Sequence, residues 1–254
     1  MTRPESTPKN HYSYAVYADP DTARTFDDRR FGGPIGGLVA QDQANVLLEF
    51  VGEPAGRSIL DVGTGTGRAA LLLARAGADV TGVDASSEML AVAGRRAAAD
   101  GTHARFLLGD AHQLEFPDRS FDTAVSLRVL MHTPGWRQCI AELCRVADRL
   151  IVLDFPSAHG LAALESAARR VGHALGRSTE PYRVFRDGSI ARAFESNGFR
   201  IRSVHRHFVL PIAFHKAIGS RRFTEVAEQA LSRIGLVHVI GSPVTIAAER
   251  CASS

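Results

Sequence analysis

The feature that most constrains the fold of this chain is a regular alternation of short apolar runs with longer amphipathic stretches. The short runs are bounded by Gly or Asp, which is typical of buried strands. They cover residues 58–62, 79–83, 104–108, 122–126 and 149–155, and helical stretches lie at 67–76, 86–100 and 136–147. Ser86 is a predicted helix N-cap, since its hydroxyl can accept a hydrogen bond from a backbone N–H of the first turn that has no partner within the helix. Strands that alternate with helices predict an α/β fold, with a parallel sheet covered by helices on both faces.

A single domain is expected, because 254 residues with 45% hydrophobic and 22% charged side chains have ordinary globular composition. Three parts are predicted within it. They are an N-terminal helical lid (1–51) interrupted by a Gly-rich break at 31–37, a core (57–155), and a substrate-side part (156–254). The last part is expected to contain helices near 158–176, 188–197 and 213–233, strands at 199–210 and 242–250, and a cap formed by the segment 211–241.

Cysteine usage and hydropathy restrict the compartment and the partners. The chain has three cysteines and no CxxC pair, which indicates free thiols in a reducing compartment rather than a zinc site or a redox pair. No apolar leader and no run of about 18 apolar residues is present, so we expect a cytoplasmic protein without a membrane partner. Basic residues outnumber acidic ones in residues 151–254, which leaves open an anionic substrate, nucleic acid or simply a solvated arginine-rich surface.

The segment that carries chemistry is DVGTGTGR, from Asp61 to Arg68, at the end of the first predicted strand. Its glycines allow a tight turn and bring backbone N–H groups close to an anionic ligand. The dinucleotide fingerprint GxGxxG fits poorly, because its third glycine would fall on Arg68 or on Ala70, depending on the register.

The same segment resembles motif I of the class I S-adenosylmethionine-dependent methyltransferases. Three further segments match in order: GVDAS (82–86), SSEML (86–90) and GDAHQLEFPDRSFDTAVSLRVLMH (109–132). The last is similar to the small-molecule "type 11" group. The resemblance covers residues 57–155 and implies a Rossmann-like seven-stranded, mostly parallel sheet of order 3-2-1-4-5-7-6 with an antiparallel seventh strand.

The resemblance also implies the donor site for S-adenosylmethionine, which leaves as S-adenosylhomocysteine. Asp84 would accept hydrogen bonds from the ribose hydroxyls, and Asp110 and the Ala111 N–H would bind the adenine. Met89 would lie on the adenine face, and backbone of Gly63, Gly65 and Arg128 would meet the methionyl part. The full predicted set of cofactor-binding residues is Asp61, Gly63, Thr64, Gly65, Asp84, Ala85, Met89, Asp110, Ala111 and Arg128.

His132, just after the fourth strand, is the candidate general base; alternatively, it positions the substrate or caps the next segment. His205 and His207 would share one face of a strand and could in principle hold a metal, but no third ligand is in view and no metal is predicted. A cluster of three tyrosines could close over the donor or simply be surface or core residues. They are Tyr12, Tyr14 and Tyr17.

A small molecule methylated on O, N or C is the predicted acceptor, with oxygen preferred. Nucleic acid is disfavoured because Ser126-Leu127-Arg128-Val129 stands where amide- and adenine-methylating members carry [Asn/Asp]-Pro-Pro-aromatic. The cysteine pair of RNA cytosine-C5 enzymes is missing too. Four arginines on the cap side could bind an acidic acceptor, or could be solvated: Arg183, Arg186, Arg206 and Arg221.

Two alternatives from other classes stay open at this point. A nucleotide-dependent oxidoreductase would share the glycine loop and the acidic residue after the second strand. A cofactor-binding member of the same fold could catalyse no methyl transfer at all.

Overall fold

The computed structural model describes residues 19–161, 166 and 182–252. Its centre is one seven-stranded sheet of order β3-β2-β1-β4-β5-β7-β6. The strands β1 to β5 pair in parallel, whereas β7 runs antiparallel to both β5 and β6. The predicted strand order and the antiparallel seventh strand are therefore confirmed.

The element bounds follow the predicted alternation closely in the core. The strands are β1 (Ser58–Val62), β2 (Asp79–Asp84), β3 (Arg105–Leu108), β4 (Phe121–Ser126), β5 (Ala147–Phe155), β6 (Phe199–Phe208) and β7 (Ser242–Arg250). The helices are α1 (Pro20–Phe31), α2 (Gly33–Val51), α3 (Arg68–Arg75), α4 (Ser87–Asp100), α5 (Trp136–Val146), α6 (Asp187–Glu195), α7 (Ile212–Ile218), α8 (Arg221–Arg233) and α9 (Leu236–Ile240).

The N-cap prediction for Ser86 is confirmed, since its side chain accepts a hydrogen bond from the Met89 N–H at the start of α4. Two other local predictions need correction. The predicted break at 31–37 is confined to Gly32, because α2 begins at Gly33 and runs through the remaining glycines. The predicted helix 213–233 is two helices, because Gly219 ends α7 at φ +69° and Ser220 caps a new helix, α8.

The strand at 104–108 was expected to be buried, and this is wrong for β3. As one of the two edge strands of the sheet, β3 has a neighbour on one side only, and Leu108 is 67% exposed. The inner strands β2, β1, β4, β5 and β7 are buried over most of their length. The central strands β1, β4 and β5 are covered by α2 and α3 on one face and by α5 and α6 on the other.

Cys139 and Cys144 belong to α5 and are buried in the core, whereas Cys251 is exposed; all three are free thiols. Burial raises the pKa of the Cys139 and Cys144 thiols to about 12, which makes both unreactive. The predicted tyrosine cluster (Tyr12, Tyr14, Tyr17) and most of the predicted helix 158–176 lie outside the described residues. Across the helices that the structure does describe, none is long and apolar enough to cross a membrane.

Candidate active site

The glycine loop between β1 and α3 is built on left-handed backbone. Gly63, Gly65 and Gly67 have φ of +72°, +54° and +82°. A Cβ on Gly63 would lie 2.1 Å from Val129 Cγ2, whereas a Cβ on Gly65 would meet no atom within 4 Å. Gly63 therefore allows the loop to pack against the segment after β4, and Gly65 leaves open space above the loop.

Asp61 supports the loop from beneath. Its Oδ2 accepts hydrogen bonds from Thr64 Oγ1 at 2.7 Å and from the Ala70 N–H at 3.1 Å. Burial raises the pKa of Asp61 to about 6 despite these two donors. The predicted residues Asp61 and Thr64 thus serve the loop conformation directly.

The raised pKa of Asp61 gives a prediction for stability. Because the folded state binds this proton more tightly than the unfolded chain does, the free energy of unfolding should fall as pH rises from about 4 to about 6. The ionised group costs up to about 3 kcal/mol above that range. Asp61→Asn has no ionisable group here and lacks this cost. The free energy of unfolding of the variant, minus that of wild type, should therefore rise by up to about 3 kcal/mol from pH 4 to pH 7. Urea unfolding at both pH values measures this difference, and a difference that is the same at both would contradict the raised pKa of Asp61.

Asp84 ends β2 directly beside the loop. One of its carboxylate oxygens accepts from the Gly65 N–H at 2.8 Å, and the other accepts from the Ser86 N–H at 2.9 Å. Burial raises the pKa of this carboxyl group. A carboxylate oxygen has a second lone pair, so Asp84 can still accept hydrogen bonds from a diol in the cavity.

Asp110 follows β3 and is held by His112. Asp110 Oδ1 accepts from the His112 backbone N–H at 2.9 Å and lies 2.6 Å from His112 Nδ1. On the other side of the ring, the Gly135 N–H donates to His112 Nε2 at 3.3 Å. Because Nε2 is an acceptor, the proton of a neutral ring lies on Nδ1 and is donated to Asp110. His112 thereby orients Asp110, the residue predicted to bind the adenine.

Arg128 follows β4 in a conformation that is uncommon for a residue with a side chain, with φ +65°. Its backbone N–H donates to Asp154 Oδ1, and Gln43 Nε2 donates to Asp154 Oδ2 at 3.3 Å. The buried Asp154 thus fixes the Arg128 backbone. An ammonium group is a donor, so the Arg128 carbonyl oxygen is the backbone atom suited to receive it.

The predicted residues converge on one cavity at the carboxyl ends of β1, β2 and β4, where ligands bind in open α/β sheets. It is lined by every predicted cofactor-binding residue and by His132, namely Asp61, Gly63, Thr64, Gly65, Asp84, Ala85, Met89, Asp110, Ala111, Arg128 and His132. We refer to it as the donor cavity.

The lid helix α1 contributes residues that the sequence reasoning missed. Asp27 accepts a hydrogen bond from Thr66 Oγ1 at 3.0 Å and pairs with Arg96 of α4. The Arg68 guanidinium lies over the Phe31 ring, 3.3 Å from its centre. Phe26 and Phe31 line the donor cavity. In the sequence, the helical pattern of residues 21–51 predicts that these side chains lie on a helix. It does not predict which residues they contact.

A second cavity of 410 Å³ lies beside the first, between the lid, β6 and the cap (211–241), and is large enough for a small molecule. His132, Arg30, Phe31 and Arg128 line both cavities. His132 sits in a single 3₁₀ turn, Leu130–His132, after β4. We refer to this space as the acceptor cavity.

The acceptor cavity combines apolar walls with basic groups. Its basic lining residues are Arg29, Arg30, Arg128 and Lys216, and no acidic residue lines it within the described ranges. Lys216 Nζ donates to the carbonyl oxygens of Arg29 and Arg30 at 3.0 and 2.9 Å. Burial lowers the pKa of Lys216, and the nearby charges of Arg30 and Arg128 act in the same direction.

The four arginines predicted on the cap side are not the basic groups of either cavity. Arg206 pairs with Asp187, and Arg221 pairs with Glu225 at 2.8 Å. Arg183 donates to the Pro134 carbonyl oxygen at 3.2 Å, and Arg186 is the residue before α6. The prediction of an acidic-acceptor site on these residues finds no support, because none of them lines the donor or the acceptor cavity.

His205 and His207 do share one face of β6, with ring centres 4.7 Å apart. The structure adds Asp42 of α2 as a third group within ligand distance. His207 Nδ1 lies 2.5 Å from Asp42 Oδ2, and its Nε2 lies 2.7 Å from Thr245 Oγ1. Both ring nitrogens of His207 are therefore already engaged in hydrogen bonds that link α2 to the sheet.

Comparison with known proteins identifies the family of the chain. Residues 59–149 match a family model described as a methyltransferase domain. The chain is 37% identical to a phosphatidylethanolamine N-methyltransferase of Cereibacter sphaeroides over 147 residues, which cover 55% of this chain and 71% of that protein. It is 42% identical to a demethylmenaquinone methyltransferase of Thermus thermophilus over 109 residues, 41% of this chain and 50% of that protein. The chain thus spans about half the length of this last relative.

Among solved structures, the chain is similar to magnesium protoporphyrin IX methyltransferase from Synechocystis PCC 6803 with bound S-adenosylhomocysteine. The TM-score is 0.66 at 21% identity, and the alignment covers 93% of this chain and 99% of that one. At this identity the likeness concerns the fold, and it extends over the lid and the cap as well as the core.

Proposed function

The chain belongs to the class I S-adenosylmethionine-dependent methyltransferases, and we propose that it methylates an apolar small molecule that carries an anionic group, on oxygen. The observation that carries this proposal is the pair of adjoining cavities. The donor cavity is lined by all the residues predicted to bind the methyl donor. The acceptor cavity has mainly apolar walls with several basic residues among them, and His132 lines both cavities.

The residues of the donor cavity fit S-adenosylmethionine. Asp84 offers carboxylate oxygens to the ribose, and Asp110 with the Ala111 N–H offers an acceptor and a donor to the adenine. Buried Met89 provides a polarisable apolar contact for its face. The open space above Gly65 accommodates the methionyl part. When bound, the donor supplies a methyl group on a positively charged sulfur, which is already activated toward displacement.

The protein's own contribution is orientation, exclusion of water and proton removal. Alignment of two bound reactants is worth roughly 7–11 kcal/mol of the barrier. Phe26 and Phe31 of the lid helix α1 line the donor cavity, and Asp27 ties the helix to Thr66 of the glycine loop. We propose that this helix keeps water from the junction. We propose that His132 accepts the proton of the acceptor hydroxyl there.

The relatives support an apolar acceptor without identifying it. The names of the Cereibacter and Thermus proteins refer to phosphatidylethanolamine and demethylmenaquinone, both of which are apolar over most of their surface. The basic residues of the acceptor cavity are suited to bind an anionic group, and we therefore propose that the acceptor carries one.

A matched pair of acceptor probes tests the substrate class: 6-hydroxy-2-naphthoate and 2-naphthol, which differ only in a carboxylate. With methyl-labelled S-adenosylmethionine, we expect kcat/KM for the carboxylate to be about tenfold higher or more, the worth of one charged hydrogen bond. Lys216→Met should reduce the difference and Lys216→Arg should restore it, while the exposed Arg105→Met serves as control. Equal rates for both probes, or preference for 2-naphthol, would contradict the anionic class.

The role of His132 is tested in the same assay. Removing a general base costs about 10²–10⁴-fold in rate, so His132→Ala is expected to lower kcat by that order while the affinity for S-adenosylhomocysteine stays within about threefold. His132→Gln, which keeps hydrogen bonding but not basicity, should be as slow. Unchanged turnover in either variant would remove His132 from catalysis.

A further inference from the structure

The surface of the cap (211–241) is unusually apolar. Nine large hydrophobic residues are exposed in the described part of the chain, and six of them lie in the cap. They are Phe214, Ile218, Phe223, Val226, Ile234 and Val239. Scattered single hydrophobic residues are normal on a surface, whereas a concentration of this kind in one segment marks an interaction site.

The exposed residues form a stripe along α8. Phe223, Val226, Ala230 and Ile234 follow one another at spacings of three, four and four residues, so they lie on one face of the helix or directly beyond its end. All four are exposed, and Val226 and Ile234 are 60% and 70% exposed. The Phe214 ring of α7 lies 6.3 Å from that of Phe223 and extends the stripe onto the neighbouring helix. The helix α8 is thus amphipathic with its apolar face toward solvent.

The inward side of the cap is well satisfied, so this exposure does not arise from missing internal contacts. The buried His215 is bonded on both sides, to Glu228 Oε1 at 2.8 Å and to Thr224 Oγ1 at 3.0 Å. Glu228 also accepts from the Val209 and Leu210 N–H groups. These bonds fix α7 and α8 to the end of β6 and hold the apolar stripe outward.

Basic side chains border the stripe. Arg222 and Arg233 are eleven residues apart, which is close to three full turns, so both lie along the same edge of it. Of the two acidic residues of the cap, Glu228 is turned inward and Glu225 is paired with Arg221. The outward charge of the cap is therefore positive beside the apolar face.

We infer that the cap docks on the surface of an anionic lipid bilayer, with the stripe of α8 and α7 in the headgroup region and Arg222 and Arg233 against the lipid phosphates. An apolar face with flanking arginines is the composition that binds this interface, where apolar burial and attraction to anionic lipids act together. The charge complementarity selects this occupant over a neutral protein surface. Binding of this kind needs no membrane-spanning helix, so it departs from the expectation of no membrane partner, which rested on the missing apolar run of spanning length.

The docking face is continuous with the acceptor cavity. Ile212, Ala213 and Lys216 of α7 line that cavity, while Phe214 and Ile218 of the same helix face outward. A docked cap would therefore place one wall of the acceptor cavity at the lipid surface. The assignment of this cavity to the acceptor rests on the proposed function, whereas the docking of the cap on a bilayer does not.

Flotation with vesicles tests the inference on the whole chain. Wild type should bind vesicles of phosphatidylglycerol mixed into phosphatidylcholine, bind phosphatidylcholine alone at least about tenfold more weakly, and dissociate as salt rises. Phe223→Ser/Val226→Ser and Arg222→Gln/Arg233→Gln should each lose at least about tenfold in binding to the anionic vesicles. The control Leu107→Ser/Val204→Ser removes two equally exposed residues of β3 and β6 and should bind as wild type does.

Three outcomes would overturn the inference. They are no binding of wild type to anionic vesicles, equal loss in the control, or light scattering that shows a dimer which Phe223→Ser/Val226→Ser converts to monomer. The single variant Ile234→Ser provides the same test with one change, at a position that is 70% exposed and therefore contributes little to folding. Titration of each variant with S-adenosylhomocysteine reports an intact, folded donor site independently of docking, so failure of docking is distinguishable from failure of the proposed reaction.

Discussion

Asp84→Ala is expected to weaken binding of S-adenosylhomocysteine by on the order of 100-fold or more. Hydrogen bonds to a charged group are worth about 1.5–3 kcal/mol each, and a ribose offers two hydroxyls to this carboxylate. The variant also removes the acceptor of the Gly65 and Ser86 N–H groups, so the glycine loop loses one of its supports. Both effects act in the same direction.

Calorimetric titration measures this loss, and Asp79→Ala is the matched control. Asp79 begins the same strand, β2, but is exposed and makes only a 3.6 Å surface contact with Arg105. We expect that control to bind as wild type does, since surface ion pairs contribute about 0–1 kcal/mol. A folded Asp84→Ala protein that binds within about threefold of wild type would contradict the assignment of Asp84 to the ribose.

Gly63→Ala is expected to destabilise the fold by about 2–5 kcal/mol. A side chain in the left-handed region costs roughly 1–2 kcal/mol, and overpacking against Val129 adds about 1–3 kcal/mol. The loop cannot readily shift to relieve the contact, because the Gly63 and Thr64 N–H groups both donate to the Val83 carbonyl oxygen, at 2.7 and 3.0 Å. Urea unfolding measures the change.

Two further variants separate the two costs. In Gly63→Ala/Val129→Ala the overpacking is removed, so part of the stability should return relative to the Val129→Ala single variant. Gly65→Ala carries only the backbone cost of about 1–2 kcal/mol, because its Cβ meets no protein atom. If Gly63→Ala were no less stable than Gly65→Ala, the close approach of the loop to Val129 would be refuted.

The local pattern was sufficient to predict the core elements. Each strand of the alternation between 58 and 155 was placed within two residues of its observed bounds, because short apolar runs and Gly or Asp boundaries are local signals. The strand order depended on the resemblance to a family, since no local signal states which strands pair. The interruption of the cap helix at Gly219 was missed because an isolated glycine inside a helical pattern is ambiguous.

The candidate site also has one part that the sequence predicts and one part that it does not. The donor residues follow strands within one contiguous motif series, so position in the chain was enough to bring them together. The acceptor side is assembled from distant segments: Arg29 and Arg30 end the lid helix, and Lys216 reaches them from the cap, 186 residues later in the chain for Arg30. No spacing rule connects such residues, which is why the sequence offered only Arg183, Arg186, Arg206 and Arg221 as candidate basic groups, with solvated arginines as the open alternative.

The most direct test of the account is calorimetric titration of the wild-type chain with S-adenosylhomocysteine, with NADH titrated in parallel. We predict micromolar or tighter binding of S-adenosylhomocysteine with one molecule per chain, and no binding of NADH. Binding of NADH alone, or of neither compound by a protein that unfolds cooperatively, would contradict the assignment of the donor cavity and the reaction proposed for it.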